Sequence, residues 1–196
     1  MTRPYEILVL SEGTAAWWEW RRSGIGSSDA ATVLGVKPAK SAERLLLEKQ
    51  QLGEPSGRNF VRAQGAALER AARARFCATT GLAVQPTCVQ SAVRPWQRAS
   101  VDGLSADGRH AVEIKCGLAA HQRASARRRP PPHHYAQLQH ILATTGLPAI
   151  SYWCYVPSQP AVHLQVDRDE AYIERLLIAE EIFWRRFAPV RCAGRG

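Results

Sequence analysis

Apolar residues recur along this chain with two periods, and the exchanges between them outline its elements. Residues 14–22, TAAWWEWRR, carry a helical stripe. A glycine-marked turn, SGIGSSD, leads into a second short helix, Asp29–Leu34, with Ser27 or Ser28 as its cap. Ser41–Leu52 reads as a third helix, capped by Ser41 and stopped by Gly53, and GEPSG (53–57) as a loop. Asn59–Thr80 has the pattern of a long helix ended by Gly81. The period then shortens to two. Strands are predicted over Leu82–Gln90, Gln97–Val101 and Ala111–Cys116. A polar, Arg-rich connection closes on Pro130–Pro132 and opens a helix, His133–Thr145, with Gly146 at its end. Ala149–Val156 and Val162–Val166 read as strands. Asp167 caps a last amphipathic helix, Arg168–Phe187, with Ile173, Leu176, Leu177, Phe183 and Trp184 inward. This order describes one domain over residues 1–196, an α+β or mixed α/β fold with a small central sheet flanked by helices.

One pair of runs raises a chemical question. In ASVDGLSADGRHAVEIKC (99–116), Asp102 ends an apolar run, and Ala106-Asp107-Gly108 has the residues of a tight turn. His110–Lys115 then alternates, which places Glu113 and Lys115 on one face and Val112 and Ile114 on the other. A hairpin pairing the two runs carries Asp102 toward Glu113. Two carboxylates and an ammonium would converge there. Carboxylate oxygens are hard ligands for magnesium, which activates water and offsets charge at phosphorus. A nearby lysine polarises the water or stabilises developing charge. The plain alternative is a solvated strand face.

Charge makes the first reading more specific. The net charge is +9 with a pI near 9.8, which favours a polyanionic partner, nucleic acid before an anionic membrane. The bases are 22 Arg against 4 Lys, and the Arg fork suits phosphate oxygens. Five scattered cysteines without a Cys-x-x-Cys pair point to free thiols, a reducing compartment and no structural zinc. Ile7–Leu10 is too short for a signal-peptide core or a membrane span, so a cytoplasmic location is expected.

With these residues in place, Val101-Asp102 … Glu113-Ile114-Lys115 resembles the bipartite PD-(D/E)XK nuclease signature, with Val101 where proline often stands. ASVDGL followed by VEIKC is similar to the phage-type YqaJ recombinase exonucleases, the lambda-exonuclease group. WRRSGIGSSDAATVLG (20–35), GAALERAARARF (65–76) and HYAQLQH (134–140) agree in order and spacing, so the resemblance spans roughly residues 17–145.

The resemblance implies a restriction-endonuclease-like fold and a role for each matching position. Asp102 and Glu113 are expected to ligate the metal, with the backbone carbonyl of Ile114 and the helix carboxylate Glu69. Lys115 is the catalytic lysine, and Gln137 is the glutamine of the motif on the helix behind the site. Arg21 and Ser28 match residues associated with a 5′ terminal phosphate. The implied activity is a magnesium-dependent (Mg2+) 5′-to-3′ exonuclease. It would degrade one strand of linear double-stranded DNA and leave 3′ overhangs for phage-type recombination. Manganese (Mn2+) is a plausible substitute, and calcium (Ca2+) is expected to bind without supporting cleavage. The expected partners are duplex DNA ends, a single-strand annealing protein and two further copies of the chain in a trimeric ring, with no membrane. The rival readings are another nuclease of the superfamily, an endonuclease or a RecB-like enzyme, and a non-enzymatic DNA-binding module.

The residues add independent support. Gly65, Glu69, Ala72 and Phe76 share one stripe of the Asn59–Thr80 helix, and a Glu in such a stripe either pairs with an Arg or reaches a metal. Gln137 lies among Tyr135, Leu138 and Ile141, where a surface position is the simpler reading, with Gln139 as a decoy. His133, His134 and His140 lack partners at zinc spacing and read as structural or DNA-facing. Arg123, Arg127, Arg128 and Arg129 sit in the polar connection, as phosphate contacts or as a solvated loop. Trp17, Trp18 and Trp20 are most simply anchors of the first helix. Asp29 puts a negative charge beside the proposed phosphate turn unless it points away.

Overall fold

The computed structural model describes residues 3–37, 40–50 and 59–193, the side chains of 59–64 and 187–193 excepted. The strands are β1 (Tyr5–Leu8), β2 (Ile25–Gly26), β3 (Val84–Ser91), β4 (Gln97–Ser105), β5 (Ala111–Cys116), β6 (Ala149–Tyr155) and β7 (Val162–Asp167). The helices are α1 (Ala15–Arg22), α2 (Ala30–Val33), α3 (Ala42–Gln50), α4 (Asn59–Thr80), α5 (Leu118–Arg127), α6 (Pro132–Thr145) and α7 (Glu170–Ala193). A single 3-10 turn, Ser27–Asp29, precedes α2. The mixed sheet runs β1-β3-β4-β5-β6-β7, and the short β2 pairs beside β4. This is the mixed α/β class expected.

The parallel pairing of β5 with β6 has the largest consequence for the site. Parallel neighbours need a crossover that leaves the sheet and returns. Here α5 and α6 form it, and α6 settles against one face of the sheet. Leu138, Ile141 and Leu142 pack there with Val101, Leu104, Ala111, Ile150 and Tyr152. The opposite face is covered by α4, whose Ala72 and Phe76 meet Val84, Val112, Ile114 and Trp153. Alternation along β5 therefore puts Val112 and Ile114 toward α4, and Glu113 and Lys115 toward α6. Both faces are buried, so Glu113 is only 1% exposed, against the plain alternative of a solvated strand face.

Several elements differ from the sequence expectation. β1 was not anticipated; it pairs antiparallel with β3, although Ile7 stays half-exposed. β4 continues through Asp102 to Ser105, because Gly103 admits the side chains of Val84 and Val112. A Cβ there would stand 2.7 Å from each. The Arg-rich connection is helical over α5, since Leu, Ala, Gln and Arg are good helix formers whatever their polarity. Arg128 ends it in the left-handed conformation, at φ 50°. The last helix begins at Glu170, with the Asp169 carboxylate accepting from the Tyr172 N–H at 2.9 Å. Asp167, the expected cap, belongs to β7. The predicted end of the third helix, Gly53 and the GEPSG loop lie outside the described residues, as do the side chains of Phe187 and Cys192. Cys77, Cys88, Cys116 and Cys154 are free thiols.

Candidate active site

β4 and β5 pair through Gly103–Val112 and Leu104–Ala111 and then part. At the point of parting, the Ile114 N–H donates to the Asp102 carboxylate at 2.7 Å instead of to a strand carbonyl. The hairpin therefore ends in a side chain, and the opening beside it becomes a cleft of about 220 Å³. Asp102, Glu113, Ile114, Lys115, Gln137 and Glu69 all line it.

Three of these side chains lock together. Lys115 Nζ lies 2.6 Å from Glu113 Oε1 and donates to Gln137 Oε1 at 3.1 Å. Gln137 Nε2 donates to the same Glu113 oxygen at 2.6 Å. Gln137 thus lines the cleft, held between the carboxylate and the ammonium. Gln139, the decoy, is fully buried and ties the Asp167 carbonyl and the Asp169 N–H to α6. The other Glu113 oxygen, Oε2, is buried without a hydrogen-bond partner. A buried carboxylate oxygen left open is costly unless something positive reaches it.

The electrostatics point the same way. Burial and the neighbouring Glu113 push the Asp102 carboxyl well above the usual range, against the pull of Lys115. Burial alone would lower Lys115, but Glu113 and Asp102 outweigh it and hold its ammonium charged. Burial also raises Glu69, opposed by Arg73. The cluster holds more negative than positive charge in a desolvated place, a condition a divalent cation relieves. The residues present fit a hard cation by this orphan oxygen and this like-charge pair. As they lie, however, no three metal-ligating side chains among the described residues stand together around one point. Glu69 is turned to Arg73, whose Nη2 donates to Glu69 Oε1 at 2.6 Å. Of the two readings of the Glu69 stripe, the arginine pair is therefore formed, and the carboxylate still lines the cleft.

The N-terminal turn reaches the same cleft. Arg21 Nη2 donates to Ser28 Oγ at 2.7 Å, and its guanidinium lies 4.8 Å from the Trp17 ring centroid. The turn differs from the one expected. Neither serine caps it; the Asp29 carboxylate accepts from the Gly26 N–H at 3.0 Å. Gly24 is required for close approach, since a Cβ would meet the Trp96 carbonyl at 2.6 Å. The helix that follows spans four residues, too short for a helix dipole to carry the argument. Asp29 does point away: it pairs with buried Lys49 at 2.7 Å, and Lys49 also donates to the Gly24 carbonyl at 2.7 Å. Burial would raise the Asp29 carboxyl, but Lys49 and Arg21 hold it below its usual range.

The family model of the YqaJ-like viral recombinase domain matches residues 16–148, well over half of the chain. The chain belongs to the YqaJ-like viral recombinase family. No curated protein matches it. Among solved structures, the alkaline exonuclease LHK-Exo of Laribacter hongkongensis is similar at 24% identity. The match covers 93% of this chain and 97% of that one with a TM-score of 0.72. The same enzyme in complex with dAMP gives a TM-score of 0.73 at the same identity and coverage. A phage-related exonuclease of Haemophilus somnus follows at 12% identity, 85% and 96% coverage and a TM-score of 0.54. At these identities the likeness establishes the fold.

In this YqaJ-family chain the arginines of the α5 region lie elsewhere. Arg123, Arg127 and Arg129 line a separate groove of about 660 Å³ with Pro130, Pro131, Pro132, Tyr135 and Tyr172. Tyr135 and Gln137 are two residues apart on α6, so they point to roughly opposite sides of it. Arg128 lines a further hollow with Arg129. Among the described residues, none of the four side chains makes a hydrogen bond or an ion pair. The histidines divide. His140 is fully buried on Glu180, hence structural. His134 bonds the Tyr152 hydroxyl, and burial with nearby Lys115 lowers it to about 3. Trp17 and Trp20 are buried anchors, and Trp18 is half-buried.

Sequence reasoning missed Lys49, Arg73, Glu12, Pro86 and Thr87. The last three line the cleft, where a bulge between Gln85 and Thr87 bends β3. Arg73 had a readable signal, four residues beyond Glu69 on the same helix face. Lys49 had none, because its partner lies on another element.

Proposed function

We propose that this protein is a metal-dependent DNA exonuclease that degrades one strand of linear duplex from a 5′ end. Family membership and the shared fold with an alkaline exonuclease support a DNA nuclease. The observation that carries the reading is the buried, unpartnered Glu113 Oε2 beside Asp102, with Lys115 on the opposite oxygen. Asp102, Glu113 and the Ile114 carbonyl would hold magnesium, with Glu69 completing the set. Bound there, the ion would lower the pKa of a water and offset charge at phosphorus. The chain's own residues do the rest. Lys115, held charged by two carboxylates, would donate to the attacking water or to a phosphate oxygen. Gln137 fixes both Lys115 and Glu113, so neither must reorganise. Arg21 and Ser28 would grip the terminal 5′ phosphate and so set which bond reaches Lys115. Arg123, Arg127, Arg128 and Arg129 would hold phosphates farther along the DNA, with a strong dependence on salt.

The test is digestion of linear and circular duplex with magnesium, manganese or calcium. Linear DNA should shorten from its 5′ ends with magnesium or manganese, leaving 3′ single strands, while calcium supports binding alone. Cutting of the circle would favour the endonuclease reading, and no cutting with any metal the binding module. We further propose a trimeric ring working beside a single-strand annealing protein in the cytoplasm, a reading that rests on the family. A monomer in light scattering at micromolar concentration would remove the ring.

A further inference from the structure

We infer that Arg73 is a positioning residue that brackets helix α4 to strand β4 and so aims the Glu69 carboxylate into the cleft. This rests on the metal site proposed above.

The site takes its carboxylates from different elements. Asp102 and Glu113 each stand next to the last backbone pair of β4 and β5, Gly103–Val112, which sets their spacing. Glu69 stands on α4, which no ladder joins to the sheet. Its cleft-side orientation therefore depends on side chains. Arg73 supplies the missing tie: Nε donates to the main-chain carbonyl of Asp102 at 2.6 Å, and Nη2 donates to Glu69 Oε1 at 2.6 Å. One planar guanidinium thus spans the backbone of a strand carboxylate and the side chain of the helix carboxylate. The Arg73 side chain is 12% exposed and that of Glu69 30%, so the bracket is sheltered while the carboxylate keeps access to the cleft.

The geometry suits arginine. A fork reaches two acceptors in fixed directions, whereas an ammonium offers one point of charge. Contact at Oε1 leaves Glu69 Oε2 free to face an ion. Groups that hold a ligating carboxylate this way change metal affinity when removed. A purely structural arginine would instead change stability and leave the metal unaffected in the folded protein.

The experiment reads metal binding directly. Mn2+ is titrated into the full chain and followed by electron paramagnetic resonance of the free ion, without DNA, for wild type, Arg73→Ala, Arg73→Lys, Glu69→Gln and the double variant Glu69→Gln/Arg73→Ala. Arg73→Ala should weaken Mn2+ binding about tenfold. Arg73→Lys should recover less than half of that loss on a logarithmic scale. In the Glu69→Gln background, Arg73→Ala should cost less than twofold, because its target is already gone. Unchanged or tighter binding in Arg73→Ala would overturn the inference, the guanidinium then being inert or merely repulsive. So would an equal loss with and without Glu69. If Arg73→Ala does not fold, Arg73→Lys in both backgrounds decides by the same rule. Glu113→Gln separates the levels: if it leaves Mn2+ binding unchanged, the proposed metal site itself fails.

Discussion

Two buried charge clusters share helix α6 and differ in one respect. Near its C-terminal half, His140 Nδ1 lies 2.5 Å from Glu180 Oε1, with both side chains fully buried. His140 Nε2 reaches the Arg98 carbonyl at 2.9 Å, and the Gln97 amide lies 3.5 Å from Glu180 Oε2. Burial would lower His140, but Glu180 outweighs it, so the pair approaches a closed ion pair. Its one open acceptor is the neutral amide oxygen of Gln97. Three residues earlier, Gln137 belongs to a cluster with two carboxylates, one ammonium and an open carboxylate oxygen. Balance marks the first as a fastener between α6 and α7. Residual negative charge distinguishes the second, and a bound cation would offset it.

The largest expected effect tests the unbalanced cluster. Glu113→Gln and Lys115→Ala should each lower single-turnover cleavage of linear duplex by about a thousandfold or more. Far-ultraviolet circular dichroism and calcium-supported DNA binding should stay near wild type for Lys115→Ala. Digestion within tenfold of wild type would erase the contrast.

Breaking the balanced cluster should do the reverse. Glu180→Ala leaves His140 buried without its partner and should cost about 3–5 kcal/mol in urea unfolding. Cleavage per folded molecule, measured well below the transition, should change by less than about twofold. A thousandfold loss of cleavage without loss of stability would place Glu180 in the chemistry.

The N-terminal turn combines the two kinds. Asp29 and Lys49 are closed on each other, while Arg21 keeps a charged fork on a neutral hydroxyl. Linear duplex with a 5′ phosphate should be digested faster than the 5′-hydroxyl form. Arg21→Ala should remove most of that preference, a loss of about 1.5–3 kcal/mol, since a hydrogen bond to a charged group is at stake. Equal wild-type rates on the two ends would make this turn a structural cap.

The smallest effect is in pH. The Asp102 carboxyl is raised by burial and by Glu113. A raised carboxyl means that the metal-free fold holds its proton more tightly than the unfolded chain does. Its contribution to stability is complete below about pH 4 and is lost as pH rises through the raised value. A cation replaces the proton, so calcium should raise the melting temperature more at pH 8 than at pH 5, by a few degrees. His140 is also raised, but its contribution is lost only above about pH 6.5 and is insensitive to calcium. An equal calcium shift at both pH values would detach Asp102 from the metal.

The sequence by itself outlined β3 to β7 and most helices and singled out candidate residues for the chemistry, because these follow from local pattern. Period two in HAVEIK put Glu113 and Lys115 on one face, and the stripe of α4 singled out Glu69. Family motifs then picked Gln137 over Gln139, a choice periodicity could not make. Tertiary structure alone decided what those groups face. The parallel β5–β6 pairing carried α6 over the sheet and buried Glu113 under Gln137. Packing of α4 against that sheet put Arg73 between Glu69 and Asp102. Lys49 met Asp29, twenty residues away, only once α3 had docked. A side chain's spacing along an element is set by backbone geometry. Its pKa, its partner and its open oxygen depend on desolvation and on charges from distant segments, which no local pattern records.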